Sequence, residues 1–366
     1  MHLTRLTIDR LRNLQPVDMR PGAGLNLITG ANGAGKTSLL EAIHLLAYGR
    51  SFRGRVRDGL IRTGCDSLDV FAEWEEPGSR VRRAGLRHSG QAWEGRLDGA
   101  SVAGLGELCA ALAALTFEPG SHALVSGGGE PRRRFLDWGL FHVEQDPQEL
   151  RFLALWRRHA RALKQRNALL KVRASADQFD GWDAELAAAG EALSQYRETY
   201  LDRLQPRLRV LAEELTPQLG EARIVFQPGW RRDQLSLADA LLLARDRDLA
   251  TGFTSVGPHR ADWRIEHAGR PAQEPLSRGQ AKLTALAALL AQAQDFASQR
   301  GHWPVVLLDD LASELDRNHQ QRLLGLLRAS GAQVFITGTE SLASLEGVGE
   351  IGRFHVEQGA LTPVQL

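Results

Sequence analysis

The chain has 366 residues, which is enough to bury a large core and more than a typical single domain contains. Its 45 Lys and Arg residues nearly balance 44 Asp and Glu residues, so any nucleic-acid surface must come from local segregation of charge. Cys65 and Cys109 make neither a metal-ligand spacing nor a disulfide framework, and no apolar run reaches the roughly 20 residues of a membrane span, so we expect a soluble cytoplasmic protein.

A phosphate-binding motif follows the first two predicted strands. His2–Ile8 alternates apolar and polar residues as a half-buried strand does, and Gly24–Thr29 has the pattern of a short buried strand. Residues 30–37, G-A-N-G-A-G-K-T, then fill every position of G-x-x-x-x-G-K-[ST], and a predicted helix over Ser38–Ala47 ends at Gly49. The alternative is a glycine-rich turn with a chance lysine, but the order strand, loop, helix is the one that the motif requires.

The residue types of this loop explain how it would hold a nucleoside triphosphate. Its glycines let backbone N–H groups and the positive helix N-terminus converge on the phosphates. Lys36 is expected to reach the β- and γ-phosphates, and the Thr37 hydroxyl to bind Mg²⁺. The motif therefore predicts that ATP is bound by Gly30, Ala31, Asn32, Gly33, Ala34, Gly35, Lys36 and Thr37.

The middle of the chain changes from strands to helices. Residues 68–97 alternate with a Pro77-Gly78 turn, which predicts an antiparallel layer, and Ala114–Phe117 has the pattern of a core strand. After Gly129, long helices are predicted from about Gln148 to Arg173 and from about Trp182 to Glu214, the second kinked at Pro206. These segments are too short for a coiled-coil arm and predict a compact inserted helical lobe.

The C-terminal part returns to alternating strands and helices. A helix over Ala281–Gln299 is followed by the apolar strand Val305–Leu308, a helix over Arg317–Ala329 and a buried strand over Gln333–Thr337. This alternation is typical of a largely parallel, helix-covered sheet.

The strand Val305–Leu308 ends in two carboxylates, Asp309 and Asp310. Downstream of a phosphate loop, such a strand is the expected second half of a Mg²⁺ site. Asp309 would hold the metal, and Asp310 would orient or deprotonate the attacking water, with Lys36 as the second catalytic residue. The alternative is that the pair only caps the following helix.

Two further segments resemble motifs of ATP-binding-cassette ATPases. Leu276-Ser277-Arg278-Gly279-Gln280 is similar to the L-S-G-G-Q signature, in which the serine and a helix N-terminus bind the γ-phosphate held by a second protomer. Its alternative is a plain Ser N-cap on the next helix. Ser313-Glu314-Leu315-Asp316 resembles the D-loop, and the predicted residues there are Ser313 and Asp316.

Two positions depart from the cassette pattern. Thr337-Gly338-Thr339-Glu340 stands where a switch histidine is usual, and Phe117-Glu118-Pro119 stands where a Q-loop glutamine is usual. Slow hydrolysis is therefore expected.

Together these motifs resemble the RecF family of bacterial recombination mediators, relatives of the SMC ATPases. The resemblance also rests on L-R-N at Leu11–Asn13, G-R-S-F-R at Gly49–Arg53 and G-P-H-R at Gly257–Arg260. It implies that Arg12 and Ser38 join the phosphate loop around the nucleotide. It further implies DNA binding, partnership with RecR and RecO in loading RecA at single-stranded gaps, and a role in DNA repair, replication and the SOS response.

Basic clusters offer an electrostatic footprint for DNA. One predicted helix carries Arg157, Arg161 and Lys164 on one face, and Arg132-Arg133-Arg134 stand at the entry to the helical lobe. A third cluster is Arg53, Arg55 and Arg57. Phosphate contacts by such clusters would be independent of sequence and sensitive to salt, although a solvated face or pairing with Asp183, Glu185 and Glu191 remains the alternative. Duplex DNA is the better ligand, because no aromatic ladder for stacking bases is visible.

The sequence thus predicts an α/β phosphate-loop ATPase head of the ABC/SMC type, with a mixed sheet, an antiparallel β layer and an inserted mainly helical lobe. The predicted boundaries are 1–127 and 251–366 for the head and 128–250 for the lobe. The expected activity is a weak, DNA-stimulated ATPase that uses ATP and Mg²⁺, binds duplex DNA and single-strand/duplex junctions, and dimerises on ATP. The alternatives are a transporter-type ATPase that drives a membrane partner, a structural DNA-binding adaptor and a chromosome-organising ATPase.

Overall fold

The computed structural model of the protein describes residues 1–56, 58–144, 151–271, 274–339, 345 and 350–364. The chain forms two compact units. The first combines Met1–Ser121 with Phe296–Leu366, and the second is His122–Asp295. Across the described residues, no helix reaches both the length and the apolarity that a membrane crossing requires.

Strands predominate in the first unit and helices in the second. The strands are β1 (His2–Asp9), β2 (Val17–Met19), β3 (Leu25–Thr29), β4 (Leu68–Glu76), β5 (Arg80–His88), β6 (Trp93–Leu97), β7 (Ala100–Ser101), β8 (Ala114–Phe117), β9 (Ala222–Gln227), β10 (Asp262–His267), β11 (Val305–Leu308), β12 (Val334–Gly338), β13 (Gly352–Glu357) and β14 (Ala360–Pro363). The helices are α1 (Lys36–Tyr48), α2 (Leu105–Ala111), α3 (Ala123–Ser126), α4 (Gly129–Val143), α5 (Arg151–Lys171), α6 (Ala176–Leu215), α7 (Leu237–Thr251), α8 (Arg278–Arg300), α9 (Leu311–Glu314) and α10 (Arg317–Ala329).

A mixed sheet of the first unit has the strand order β14-β13-β3-β12-β11-β8. Neighbours from β13 to β8 are parallel, and β14 pairs antiparallel with β13. Strands β11 and β12 are buried along their whole length, which explains their unbroken apolar sequences. Because β3, β12 and β11 are parallel, the segments that follow them leave from the same edge of the sheet. This edge therefore collects the phosphate loop, Thr337 and the Asp309-Asp310 pair.

The second sheet of this unit is antiparallel, with the order β2-β1-β4-β5-β6-β7. Helix α1 contacts β8 and β12 of the mixed sheet and β4 and β5 of the antiparallel sheet. Its residues 38–47 are all buried, in one hydrophobic core with side chains from both sheets. A helix buried all round has no solvent face, so any charged residue on it must find its partners inside the unit.

The second unit is built on the long helix α6, which spans 40 residues, or about 60 Å at 1.5 Å per residue. It begins at Ala176, after a capping box formed by Ser175 and Gln178, and not at the predicted Trp182. Pro206 lies inside it and does not end it. Helices α5 and α7 and strand β9 pack against α6, and β10 pairs antiparallel with β9.

The predicted fold class is confirmed: a mixed sheet, an antiparallel layer and a mainly helical unit are all present. The second unit, however, extends beyond the predicted lobe of 128–250, because β10 pairs with β9 from Asp262 to His267 and holds this part of the chain in the unit. The signature segment 276–280 therefore belongs to the second unit. The predicted helix start at Gln148, the candidate Arg57 and the position of Glu340 lie outside the described residues.

Candidate functional site

Two glycines of the phosphate loop are required by packing. Gly30 has φ 151°, and a Cβ there would lie 2.2 Å from the carbonyl oxygen of Val356. Gly35 has φ 120°, and a Cβ there would lie 2.8 Å from Cδ2 of Leu14. Both conformations favour glycine, and any side chain at either position would push the loop away from β13 or from the segment after β1. The motif glycines therefore fix the loop as well as opening it to an anion.

The Lys36 side chain is held by the loop itself. Its Nζ donates hydrogen bonds to the carbonyl oxygens of Gly30 (2.8 Å) and Ala31 (2.9 Å). Burial lowers the pKa of Lys36, and the nearby charges of Asp310 and Asp309 oppose this shift. The lysine thus lies between the loop and the two carboxylates, where a phosphate would also lie.

A cavity of about 710 Å³ opens beside the loop. Most of the predicted nucleotide residues line it, together with both carboxylates of the pair: Arg12, Asn32, Gly33, Gly35, Lys36, Thr37, Ser38, Asp309 and Asp310. The remaining loop residues act through their backbone. The carbonyls of Gly30 and Ala31 hold Lys36, and the Ala34 carbonyl accepts from the N–H of Gly359 (2.9 Å).

A chain of three side chains joins the loop to the ends of β11 and β12. The Thr37 hydroxyl donates to the Asp309 carboxylate (2.9 Å to Oδ1), and the Thr337 hydroxyl donates to the same oxygen (2.7 Å). The backbone N–H of Asp310 in turn donates to the Thr337 hydroxyl (2.8 Å). Thr337 belongs to the segment that stands where a switch histidine is usual, and its hydroxyl orients the Asp309 carboxylate.

Thr37 and Asp309 offer the oxygen ligands that suit Mg²⁺. This ion is usually held by one or two carboxylates and by substrate phosphates, and a hydroxyl and a carboxylate 2.9 Å apart on one face of the cavity fit that pattern. Burial raises the pKa of Asp309, and the hydrogen bonds from Thr337 and Thr37 partly oppose the rise. A cation bound at this carboxylate would favour the ionised form.

Asp310 has a left-handed backbone, with φ 52° and ψ 45°, which non-glycine residues rarely adopt. Its Oδ2 accepts a hydrogen bond from the Ser313 hydroxyl (2.5 Å). This places one predicted D-loop residue in contact with the predicted water-orienting carboxylate. The other, Asp316, caps α10 by accepting from the backbone N–H of His319 (3.0 Å). That hydrogen bond is the main reason that the pKa of Asp316 is lowered.

The signature segment forms a capping box at the start of α8. The backbone N–H of Ser277 donates to Oε1 of Gln280 (2.9 Å), and the backbone N–H of Gln280 donates to the Ser277 hydroxyl (3.3 Å). Oε1 of Gln280 also accepts from Arg270 (2.9 Å). Ser277, Arg278 and Gly279 are exposed. The interpretation of Ser277 as an N-cap is therefore supported by contacts within the chain. The segment is nevertheless exposed at the surface.

Glu41 is a site residue that the sequence analysis missed. Its carboxylate is completely buried and accepts two hydrogen bonds from Arg12, to Oε2 (3.0 Å) and to Oε1 (2.7 Å). A third guanidinium N–H of Arg12 donates to the carbonyl of Asp58 (2.8 Å). These bonds fix Arg12 at the cavity wall. A usable signal was present in the sequence, namely a lone carboxylate in the apolar helix S-L-L-E-A-I.

The proposed DNA-contacting residues divide into two groups. Arg132 is buried and pairs with Asp262, so it does not present the free charge that was expected there. Arg133 is half-buried and donates to the carbonyl of Ala261 (2.9 Å). Arg157, Arg161 and Lys164 are exposed on α5. The neighbouring Arg158 pairs with Glu185 of α6, as the alternative interpretation anticipated for part of this face.

The chain resembles known proteins over its full length. The model of the RecF/RecN/SMC N-terminal domain matches residues 2–362. The DNA replication and repair protein RecF of Stenotrophomonas maltophilia (strain R551-3) is 62% identical over 369 residues, covering 100% of both chains. The RecF protein of Thioalkalivibrio sulfidiphilus (strain HL-EbGR7) is 42% identical over 363 residues, covering 99% of both chains.

Solved structures of RecF and of SMC heads are also similar to this chain. A structure of the recombination mediator protein RecF with ATP, from the RecFOR pathway, has a TM-score of 0.88 and 26% identity, covering 100% of this chain and 98% of that chain. An SMC head bound to the C-terminal winged-helix domain of ScpA has a TM-score of 0.61 at 15% identity, covering 100% of this chain and 98% of that chain. The SMC similarity concerns the fold alone.

Proposed function

This chain belongs to the RecF family of DNA replication and repair proteins, and from that premise we propose that it is an ATP-switched DNA-binding protein. The observation that supports this most is the contact between Thr37 and Asp309 (2.9 Å) beside Lys36, which joins a phosphate loop to a carboxylate strand at one cavity. Proteins with this arrangement bind a nucleoside triphosphate with Mg²⁺. Weak, DNA-stimulated ATP hydrolysis is the proposed activity.

Each residue of the cavity has a proposed role in hydrolysis. Lys36 would leave the carbonyls that hold it and bind the β- and γ-phosphates, and Thr37 and Asp309 would hold Mg²⁺. When bound there, the metal supplies positive charge to the phosphate oxygens. Asp310, oriented by Ser313, accepts a proton or a hydrogen bond from the attacking water. Because the segment that begins at Thr337 lacks the usual switch histidine, we expect this last step to be slow.

A symmetric dimer is proposed to complete the site. Ser277 and the exposed N-terminus of α8 would bind the γ-phosphate held by Lys36 of a second copy. ATP would then drive dimerisation, and hydrolysis would reverse it. The exposed face of α5, with Arg161 and Lys164, would bind duplex DNA through its phosphates.

The proposed setting is recombinational repair and replication-fork maintenance in the cytoplasm. The solved relative with ATP is described as part of the RecFOR pathway. We propose accordingly that this protein binds duplex DNA and single-strand/duplex junctions near gaps, and that it works with RecR and RecO in loading RecA.

The test is the rate of ATP hydrolysis as a function of protein concentration, with and without duplex DNA. A composite dimer site predicts a specific rate that rises with protein concentration and with DNA, and Lys36→Met, which removes the phosphate contact, serves as the inactive control. A specific rate that is constant with concentration and indifferent to DNA would contradict both the dimer and the DNA switch. Equal duplex affinity with ADP and with ATP would instead favour a structural adaptor.

A further inference from the structure

The G-P-H-R segment, Gly257–Arg260, forms a rigid turn of the second unit. Gly257 has φ 121°, and a Cβ on Gly229 would lie 2.3 Å from the carbonyl oxygen of Gly257. Arg197 is buried and donates to the carbonyl of Pro258 (2.7 Å). The close approach of the two backbones and this hydrogen bond fix the turn. Arg260, the last residue of the segment, therefore has an anchored backbone and an exposed side chain.

The guanidinium group of Arg260 stacks on an exposed aromatic ring. Its central carbon lies 5.0 Å from the ring centroid of Phe253. Its Nε and Nη2 lie 3.4 and 3.3 Å from the carbonyl oxygen of Thr254, so these hydrogen bonds are long. The Phe253 side chain is 44% exposed. The pair thus presents a planar apolar surface and a positive charge side by side.

This pair lies beside a basic edge of α5. The backbone N–H and the hydroxyl of Thr254, next to Phe253 in the chain, both donate to Oδ1 of Asn167 (2.8 and 2.7 Å). Lys164, Asn167 and Lys171 stand at i, i+3 and i+7, so they lie on one side of the helix. Both lysines are exposed. Tertiary contacts therefore bring the aromatic ring to a row of lysines that is distant in sequence.

The charges around Phe253 are positive. Among the residues that the structure describes, Arg260, Lys164 and Lys171 take part in no ion pair. Burial is the main cause that lowers the pKa of His259 to about 4, and the positive charge of Arg260 contributes. Positive charge without a partner at a protein surface is suited to phosphate groups.

The ring indicates which kind of DNA this surface fits. Phosphate groups are present along any DNA, whereas an aromatic side chain needs the open face of a base. In a duplex each base is stacked between its neighbours and presents only its edges in the grooves. An unpaired base exposes its face and stacks on an aromatic ring whatever its sequence. An aromatic ring beside phosphate-binding charges therefore fits the single-stranded side of a junction.

We propose that Phe253 stacks on the first unpaired base of a single-strand/duplex junction, and that Arg260 and Lys171 bind the neighbouring phosphates. This inference rests on the proposed function, because it requires DNA bound along α5. It assigns the single-stranded arm of the junction to the edge of α5 next to Phe253, and the duplex arm to the face with Arg161.

The test compares four full-length proteins: wild type, Phe253→Tyr, Phe253→Leu and Val210→Ala. Each is titrated, with ATP and Mg²⁺, into a fluorescent blunt duplex and into the same duplex with a single-stranded tail. Val210 is the matched control, because it is an apolar residue that is 60% exposed near the C-terminal end of α6.

We expect Phe253→Leu, which keeps an apolar side chain without the ring, to weaken binding of the tailed duplex about tenfold, as loss of one base–aromatic stack does. Its affinity for the blunt duplex should equal that of the wild type. Phe253→Tyr and Val210→Ala should bind both DNAs as the wild type does. A photoreactive 5-iododeoxyuridine at the first unpaired position should cross-link to Phe253, and the same base placed inside the duplex should not.

Wild-type affinity of Phe253→Leu for the tailed duplex would overturn the inference, because an apolar contact would then suffice. An equal loss on both DNAs would also overturn it, because Phe253 would then support the fold or the duplex surface. In both cases wild-type binding of the blunt duplex leaves the proposed function standing. If the wild type bound neither DNA, the proposed function would fall together with the inference.

Discussion

Substitution of Arg132 distinguishes most clearly between a structural role and a DNA-binding role for a basic residue. Arg132 is only 8% exposed, and it donates to both oxygens of Asp262, at 2.6 and 2.8 Å. Its Nη1 also lies near three carbonyl oxygens of α3 and its C-terminal cap, those of Leu124 (3.3 Å), Val125 (3.3 Å) and Gly127 (2.9 Å). Arg132→Ala therefore removes a paired charge from a site that water reaches poorly.

The magnitude follows from what remains after the substitution. Breaking a buried ion pair by removing one partner costs about 3–5 kcal/mol, because the other charge is left uncompensated. The Asp262 side chain is 32% exposed, so water takes over part of its solvation. We therefore expect a loss of about 3 kcal/mol in the free energy of unfolding, or a fall of about 6–12 °C in the melting temperature of a unit of this size.

The assay is urea unfolding followed by circular dichroism, together with duplex-DNA anisotropy measured below the transition. Arg134→Ala is the matched control, because Arg134 is exposed and its ion pair among the described residues is with Glu130 of its own helix; its free energy of unfolding should change by less than about 0.5 kcal/mol. Duplex affinity of folded Arg132→Ala should equal that of the wild type. Wild-type stability combined with lost duplex affinity would refute a structural role for Arg132.

Three further predictions concern the metal site, the DNA face and the dimer. Asp309→Asn should abolish Mg²⁺-dependent hydrolysis without destabilising the unliganded protein. Because the folded pKa of Asp309 is raised above 3.8, protonation stabilises the unliganded wild type as pH falls through that raised pKa, and unfolding measured against pH should show this gain in the wild type but not in Asp309→Asn. The slope of log affinity for duplex DNA against log salt is negative, and the double variant Arg161→Ala/Lys164→Ala should make it less steep by about 1.8. Arg158→Ala should change the slope little. An unchanged slope in the double variant would exclude this face of α5 as the DNA-binding surface. Ser277→Arg should bind ATP normally but remain monomeric in sedimentation velocity, and an ATP-dependent dimer would contradict the role given to the signature.

The elements with strong local patterns were predictable from the sequence. The strand, glycine loop and helix around Lys36 follow from a motif whose residues are in local contact, and the helix Arg317–Ala329 was predicted with the bounds that the structure has. The apolar run before Asp309 was sufficient to predict a buried parallel strand. In each case the residues that determine the structure are close in sequence, so a short window contains the information.

Features that depend on distant partners were not predictable. The limit of the second unit depends on the pairing of β10 with β9, and the start of α6 depends on a cap rather than on apolar spacing. Arg132 was expected at a DNA surface because three consecutive arginines indicate exposed charge. It is buried because Asp262, far along the chain, supplies the opposite charge.

The sequence by itself thus determined the class of fold, the phosphate loop and the carboxylates proposed for the metal site, because each is encoded by short patterns with a direct physical meaning. The tertiary structure decided which charged side chains are exposed to ligands and which are buried in ion pairs. Glu41 shows the reason. Because α1 is buried between two sheets, the carboxylate of this helix can be neutralised only by side chains from other segments. Arg12 pairs with it, and Arg53 lies close to it at the cavity. Burial and the pairing of distant charges are properties of packing, which local sequence does not contain.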